Sequence, residues 1–192
     1  MSLVTQRPLF ICLFLLSLLF GLGGAAHAAD IAIRDMQLEA VEDGYRLAAS
    51  YEFELNHTLE ETIAHGVPLY FTTELELTRP RWYWLDEKAI SAKQTVRISY
   101  NVLTRKYNVA TLDSVQQTFN TLDDALFLLR RPNRWMVAGK GTLKGGEIYH
   151  GTLRMRLNLE YQPKPIQVDV INKSDWRLSS DKKSFTYKAE EK

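Results

Sequence analysis

Tyr149-His150-Gly151-Thr152-Leu153-Arg154-Met155-Arg156-Leu157-Asn158-Leu159-Glu160-Tyr161 alternates without a break. Apolar or small residues hold the odd positions and polar ones the even. A side-chain period of two marks a strand with one buried face and one wet face. The run predicts a strand long enough to cross a whole sheet.

The same alternation recurs upstream. Tyr45, Leu47, Ala49, Tyr51, Phe53 and Leu55 form one run, and Leu69, Phe71, Thr73, Leu75 and Leu77 another, with Tyr70, Glu74 and Glu76 pointing outward. Ile90, Ala92, Gln94, Val96, Ile98 and Tyr100 form a third, while Tyr107–Val109 and Val115–Phe119 read as shorter strands. Asp43-Gly44, preceded by Ile31, Ile33, Met36, Leu38 and Ala40, reads as a hairpin turn.

Two segments break the pattern. Thr58-x-x-Glu61 has the form of a capping box, Leu59 and Ile63 share a helical face, and Gly66 and Pro68 end the helix. Leu122, Ala125, Leu126 and Leu129 form a second helical stripe, opened by Thr121 with Asp123 and Asp124 and stopped at Pro132. Each helix follows two strands and precedes two more, so a ββαββ order occurs twice. After Pro163-Lys164-Pro165 the chain resumes with Ile166, Val168 and Val170, then Trp176 and Leu178. The expected fold is α+β, with one curved antiparallel sheet of about eight strands and two short helices over one face. A β-sandwich with helical insertions is the alternative. The domain is expected to span 29–181, with 182–192 a charged, frayed tail.

The chain has 192 residues, 45% hydrophobic and 24% charged, with 24 Lys+Arg against 23 Asp+Glu. That composition excludes disordered, collagen-like and nucleic-acid-coating chains, which need a skewed or basic content. Residues 1–28 read as a secretory signal: Arg7, the apolar run Leu9–Phe20, then Ala26-His27-Ala28 as the cleavage site. Export to the periplasm with a cut after Ala28 is expected. Cys12 lies inside the apolar run, so it does not become a lipid-bearing N-terminus. Removing the signal takes away Arg7 and the single cysteine, leaving equal numbers of acidic and basic residues. Disulfides, thiol nucleophiles and Cys-ligated metals drop out, and so does long-range attraction to nucleic acid. No stable membrane anchor is expected after cleavage.

The densest local chemistry is Arg79-Pro80-Arg81-Trp82-Tyr83-Trp84-Leu85-Asp86-Glu87. Its indoles, phenol and guanidiniums could stack as cation–π pairs or line a groove for a sugar, peptide or aromatic ligand. The competing reading is a strand end, where Trp82 and Trp84 pack on one face and the arginines cover their edges. Arg131-Pro132-Asn133-Arg134-Trp135 echoes the block after the second helix. The candidate binding residues are Arg79, Arg81, Trp82, Tyr83, Trp84, Arg134 and Trp135.

Other chemistries lack their residues. His57, His65 and His150 show no metal-ligand spacing, so no metal and no cofactor are expected. No G-x-S-x-G or S-x-x-K context is present. The pairs Glu60/Glu61 and Asp123/Asp124 sit in helices, leaving Asp86/Glu87 as the pair beside an aromatic cluster. Gly139-Lys140-Gly141 and Lys144-Gly145-Gly146-Glu147 read as turns, and Arg154, Arg156, Lys93 and Arg97 as solvated sheet faces.

The order Gly66-Val67-Pro68-Leu69-Tyr70-Phe71, Glu74–Leu77, Arg79–Trp84, Leu103–Tyr107, Phe119–Leu126 and Asp175–Ser180 resembles an uncharacterised family of exported proteobacterial proteins, domain of unknown function forty-three ninety. The resemblance covers nearly the whole chain after the signal and brings no catalytic residue with it. The family's genes often lie beside a nitrogen-regulation-type sensor kinase pair, which implies a periplasmic location and a link to envelope two-component signalling.

The expected function is therefore that of a non-enzymatic periplasmic accessory protein, binding an envelope protein or a small hydrophobic or aromatic ligand. The alternatives are a lipid carrier and an envelope sugar or peptide hydrolase using Asp86, Glu87 or His150.

Overall fold

Alternation becomes nine strands among the described residues, which in this computed structural model are 31–83, 85–111, 115–132, 135–170 and 173–190. β1 (Ala32–Val41) and β2 (Gly44–Glu52) form the first hairpin, Val41 opposite Gly44. Gly44 has φ +153°, and a Cβ there would sit 2.2 Å from the Ala138 carbonyl oxygen, so a side chain would push a third strand away. That strand is β7 (Trp135–Gly139), which pairs with β2.

The larger sheet contains β3 (Leu69–Arg79), β4 (Glu87–Asn101), β5 (Lys106–Thr111), β6 (Gln117–Phe119), β8 (Ile148–Leu157) and β9 (Lys183–Lys188). Its order is β6-β5-β4-β3-β8-β9, antiparallel throughout. The class is α+β, but in place of one curved sheet of about eight strands there are sheets of three and six. β7 leaves the larger sheet and joins the free edge of β2, so the twofold ββαββ order along the chain is not repeated in space.

The small sheet lies over one face of the large one. Phe53, just past β2, meets Phe71 of β3 at 5.5 Å, and Tyr45 of β2 meets Tyr187 of β9 edge-on at 6.3 Å. Between the layers lie Leu47, Phe71, Leu75, Leu153 and Met155, all buried in one continuous core. The other face of the large sheet is polar. There Glu74 meets Lys93 at 3.1 Å and Arg156 at 3.6 Å, and Lys88 meets Glu76 at 3.2 Å. Together, burial and the two cations leave Glu74 below the ordinary carboxylate range, the cations outweighing the upward push of burial.

α1 (His57–Ala64) buries Leu59 and Ile63, and α2 (Leu122–Arg130) buries Ala125, Leu126 and Leu129. At α2 the Thr121 hydroxyl caps as expected, accepting from the Asp124 amide at 3.1 Å. At α1 the expected capping box does not form. Asn56, two residues before Thr58, holds extended backbone and accepts from the Leu59 amide at 3.0 Å, while the Thr58 hydroxyl donates to Asp175 at 3.1 Å.

Three other expectations change. β8 stops at Leu157, not Tyr161, because the Asn158 side chain accepts from the Glu160 amide at 2.9 Å and starts a 3-10 turn, Leu159–Tyr161. The Ile166–Val170 stretch is helical, α3 (Lys164–Val170), with Gln167 donating to the carbonyls of Glu160 and Gln162. The segment expected to fray contains β9. Phe185 lies across Gly151 of β8, where a Cβ would fall 2.2 Å from the ring, and Ala189 is buried.

Candidate functional site

β3 and β4 stay paired to their last rung. Leu77 pairs with Ile90, a bulge follows, and Arg79 pairs with Glu87. Pro80 has no amide hydrogen to continue the ladder, so the chain leaves the sheet and returns through 80–86.

The base of this turn is electrostatic. The guanidiniums of Arg79 and Arg81 both engage the Glu87 carboxylate, and Arg79 also lies 3.8 Å from Glu147 in the turn before β8. Hydrogen bonds from Arg81 and then Arg79 hold the Glu87 carboxyl below the ordinary range. The hydrogen bond to Glu87 pushes Arg79 higher still, so both partners stay charged at neutral pH.

The tip is aromatic and bare. Trp82 is 94% exposed, Tyr83 64% and Leu85 82%. Among the described residues their ring contact is mutual: Trp82 meets Tyr83 edge-on, with centroids 5.1 Å apart and planes at 70°. The strand-end reading, with Trp82 packed on the sheet, is thus corrected. A strand needs ladder partners, and Pro80 ends the ladder before the indole is reached. The cation–π pairing expected between these arginines and indoles is also absent among the described residues, since Glu87 takes both guanidiniums. The two cation–π contacts are elsewhere, Arg130 over Phe53 at 5.4 Å and Arg131 over Phe127 at 4.8 Å. Trp84 lies outside the described residues.

The second cluster does not join the first. Trp135 is 8% exposed and sits in β7 opposite Leu47. It borders a cleft with Thr73 and Gln94, a pair six rungs from Arg79, or about 20 Å at strand rise. Arg134 lies outside the described residues. That cleft, under α2, is also lined by Val96, Val109, Leu128 and Leu129 and measures about 190 Å³.

Two of the proposed hydrolytic residues, Glu87 and His150, are separated by the sheet itself. Thr78 pairs with His150 and Arg79 with Glu87. Paired residues share a face and consecutive residues take opposite faces, so Glu87 and His150 project to opposite sides. Glu87 is moreover an ionised carboxylate saturated by two guanidiniums, which suits bracing and not proton donation. The other described histidines are local: His57 lies 3.2 Å from the Glu61 carboxylate, and His65 Nδ1 lies 2.6 Å from the Glu61 carbonyl oxygen.

Glu147 is the part of this site that sequence reasoning missed. It sits sixty-eight residues from Arg79, and only the pairing of β3 with β8 brings them together.

The family profile of a domain of unknown function, DUF4390, matches residues 28–186. The chain belongs to that family. The DUF4390 match takes in both sheets, the β3–β4 tip and most of β9. No curated protein and no solved structure matches the chain. Among the described residues no helix is long and apolar enough to cross a membrane.

Proposed function

We propose that this DUF4390 protein is a non-enzymatic binding protein of the cell envelope whose contact element is the β3–β4 tip. The observation that carries the reading is Trp82, a residue costly to leave in water, standing almost wholly exposed on a turn whose base is braced by three charged side chains. Trp and Arg together are the residues that dominate binding hot spots. Trp82 and Tyr83 are both exposed and lie outside the buried core, which is consistent with a role in contact. The Ala26-His27-Ala28 cleavage site and the family resemblance support an envelope location and a partner there.

The test is photo-crosslinking in growing cells from a photoreactive residue placed at Tyr83, with the melting temperature of each variant as the control for folding. A discrete adduct that disappears in Trp82→Ala and Arg81→Ala, at unchanged melting temperature, is the expected result. An adduct indifferent to Trp82, or collapse of the fold in both variants, would overturn the reading. N-terminal sequencing of the exported protein should begin at Ala29.

A further inference from the structure

What the tip contacts follows from its shape and charge. The described side chains that project from it, Trp82, Tyr83 and Leu85, stand on a convex turn. Among the described residues all three stand largely open to solvent. A protein interface needs about 800 Å² per partner, with a polar rim that seals water away from the anchor residues. Aromatic side chains bury about 150–250 Å² each, so this projection falls short of a standard interface by itself. A lipid bilayer has no such requirement. It closes around any convex object, and Trp and Tyr settle at the headgroup level with the ring among acyl chains and the polar atom in water.

The charges below the rings agree. Arg79 and Arg81 are drawn down onto Glu87 at the base of the turn, and Lys88 onto Glu76. The cations near the tip are therefore matched by Glu76, Asp86, Glu87 and Glu147. With no excess positive charge, attraction to anionic headgroups is not the driving force. The guanidinium heads of Arg79 and Arg81 stay at the level of the sheet, held by Glu87 and, for Arg79, also near Glu147.

We propose that the β3–β4 tip inserts Trp82, Tyr83 and Leu85 into the interfacial layer of a lipid bilayer, driven by aromatic and apolar burial and not by headgroup charge. This rests on the reading of the tip as the contact element and names its partner as the membrane surface. Insertion by one turn gives shallow, reversible attachment, unlike a spanning helix. It would hold the large sheet with its strands steep to the membrane, since the tip lies at the end of β3 and β4.

The experiment uses the exported chain purified from cells and vesicles of phosphatidylcholine, alone and with phosphatidylglycerol added. Flotation reads the bound fraction, and brominated phosphatidylcholine reads indole depth by quenching. The parent is expected to float with pure phosphatidylcholine and to be quenched by shallow bromines. Trp82→Ala combined with Leu85→Ser should lower partitioning about tenfold or more at unchanged melting temperature, because both side chains are nearly bare in the folded protein. Trp82→Phe should keep part of the binding. Phosphatidylglycerol, or salt raised to about 0.5 M, should change it less than about twofold. No flotation, flotation indifferent to Trp82, or binding confined to anionic vesicles at low salt would each overturn this proposal. If flotation fails while a Trp82-dependent protein adduct persists in cells, the tip remains a contact element and its partner is a protein. If both fail, the contact reading falls as well.

Discussion

Arg79 and Glu87 face each other as the last cross-strand pair of β3 and β4, and their side chains close an ion pair that Arg81 joins from within the turn. The aromatic tip is thus mounted on the sheet and not hung from a loose loop. Glu87→Gln removes the charge that gathers both guanidiniums. The core lies elsewhere, so the melting temperature should hold while amide exchange through 80–86 speeds up roughly threefold or more.

The same carboxylate sets a pH window. Its folded-state value lies below the ordinary carboxylate range because of Arg81 and Arg79. The contribution is therefore complete above the unfolded value and is lost as the pH falls through the depressed one. Protection of the tip, corrected for intrinsic exchange rates, should persist through mildly acidic solution and vanish only at lower pH. In Glu87→Gln this dependence should be absent.

Tyr51 gives an alkaline counterpart in the core. Burial pushes its phenol up to about 12, with Thr73 pulling it partly back, although the hydroxyl makes no hydrogen bond of good geometry among the described residues. A raised phenol costs nothing below the unfolded value near 10, and stability is lost as the pH climbs from there toward 12, about 3 kcal/mol in all. Tyr51→Phe should blunt that loss. At pH 7 it should be neutral or stabilising by about 1 kcal/mol, since it deletes an unpartnered buried hydroxyl. Urea midpoints at neutral and alkaline pH check both.

Gly151 and Phe185 form a matched pair across β8 and β9, the ring occupying the space a Cβ would need. Gly151→Ala should cost about 1–3 kcal/mol by displacing the ring. Most of that penalty should be missing when Phe185 is already alanine, and a double-mutant cycle measures the coupling.

Asn56 caps α1 and its amide also donates to the Asp175 carbonyl at 2.6 Å. Asn56→Ala should therefore destabilise by about 1–2 kcal/mol, whereas Thr58→Ala, which keeps the cap, should cost less. Chemical denaturation of the two variants separates the actual cap from the capping box that the Thr58-x-x-Glu61 spacing suggests.

Several features were legible because they depend on neighbours along the chain. Thr121, Asp124 and Pro132 bound α2 as their local chemistry demands. The odd spacing of Trp82 and Trp84 mimics a strand, and period alone favoured packing them, although Pro80 ends the ladder before Trp82 is reached. In α3 seven residues are too few for spacing alone to separate a period of two from a helical one, and the backbone closes a helical turn from the Gln167 amide to the Pro163 carbonyl.

Which residues face inward along β2, β3, β4 and β8 was determined by the sequence itself, because successive side chains on an extended backbone must take opposite sides. Which strand lies beside which was decided by the tertiary structure. Backbone amides and carbonyls are alike in every strand, so alternation names a face and never a neighbour. The split into two sheets, the meeting of Arg79 with Glu147 and the recruitment of β9 all follow from that choice of neighbours. So does the exposure of Trp82: an indole carries the same apolar surface wherever it stands, and the chain's departure from the sheet at Pro80 leaves this one in solvent.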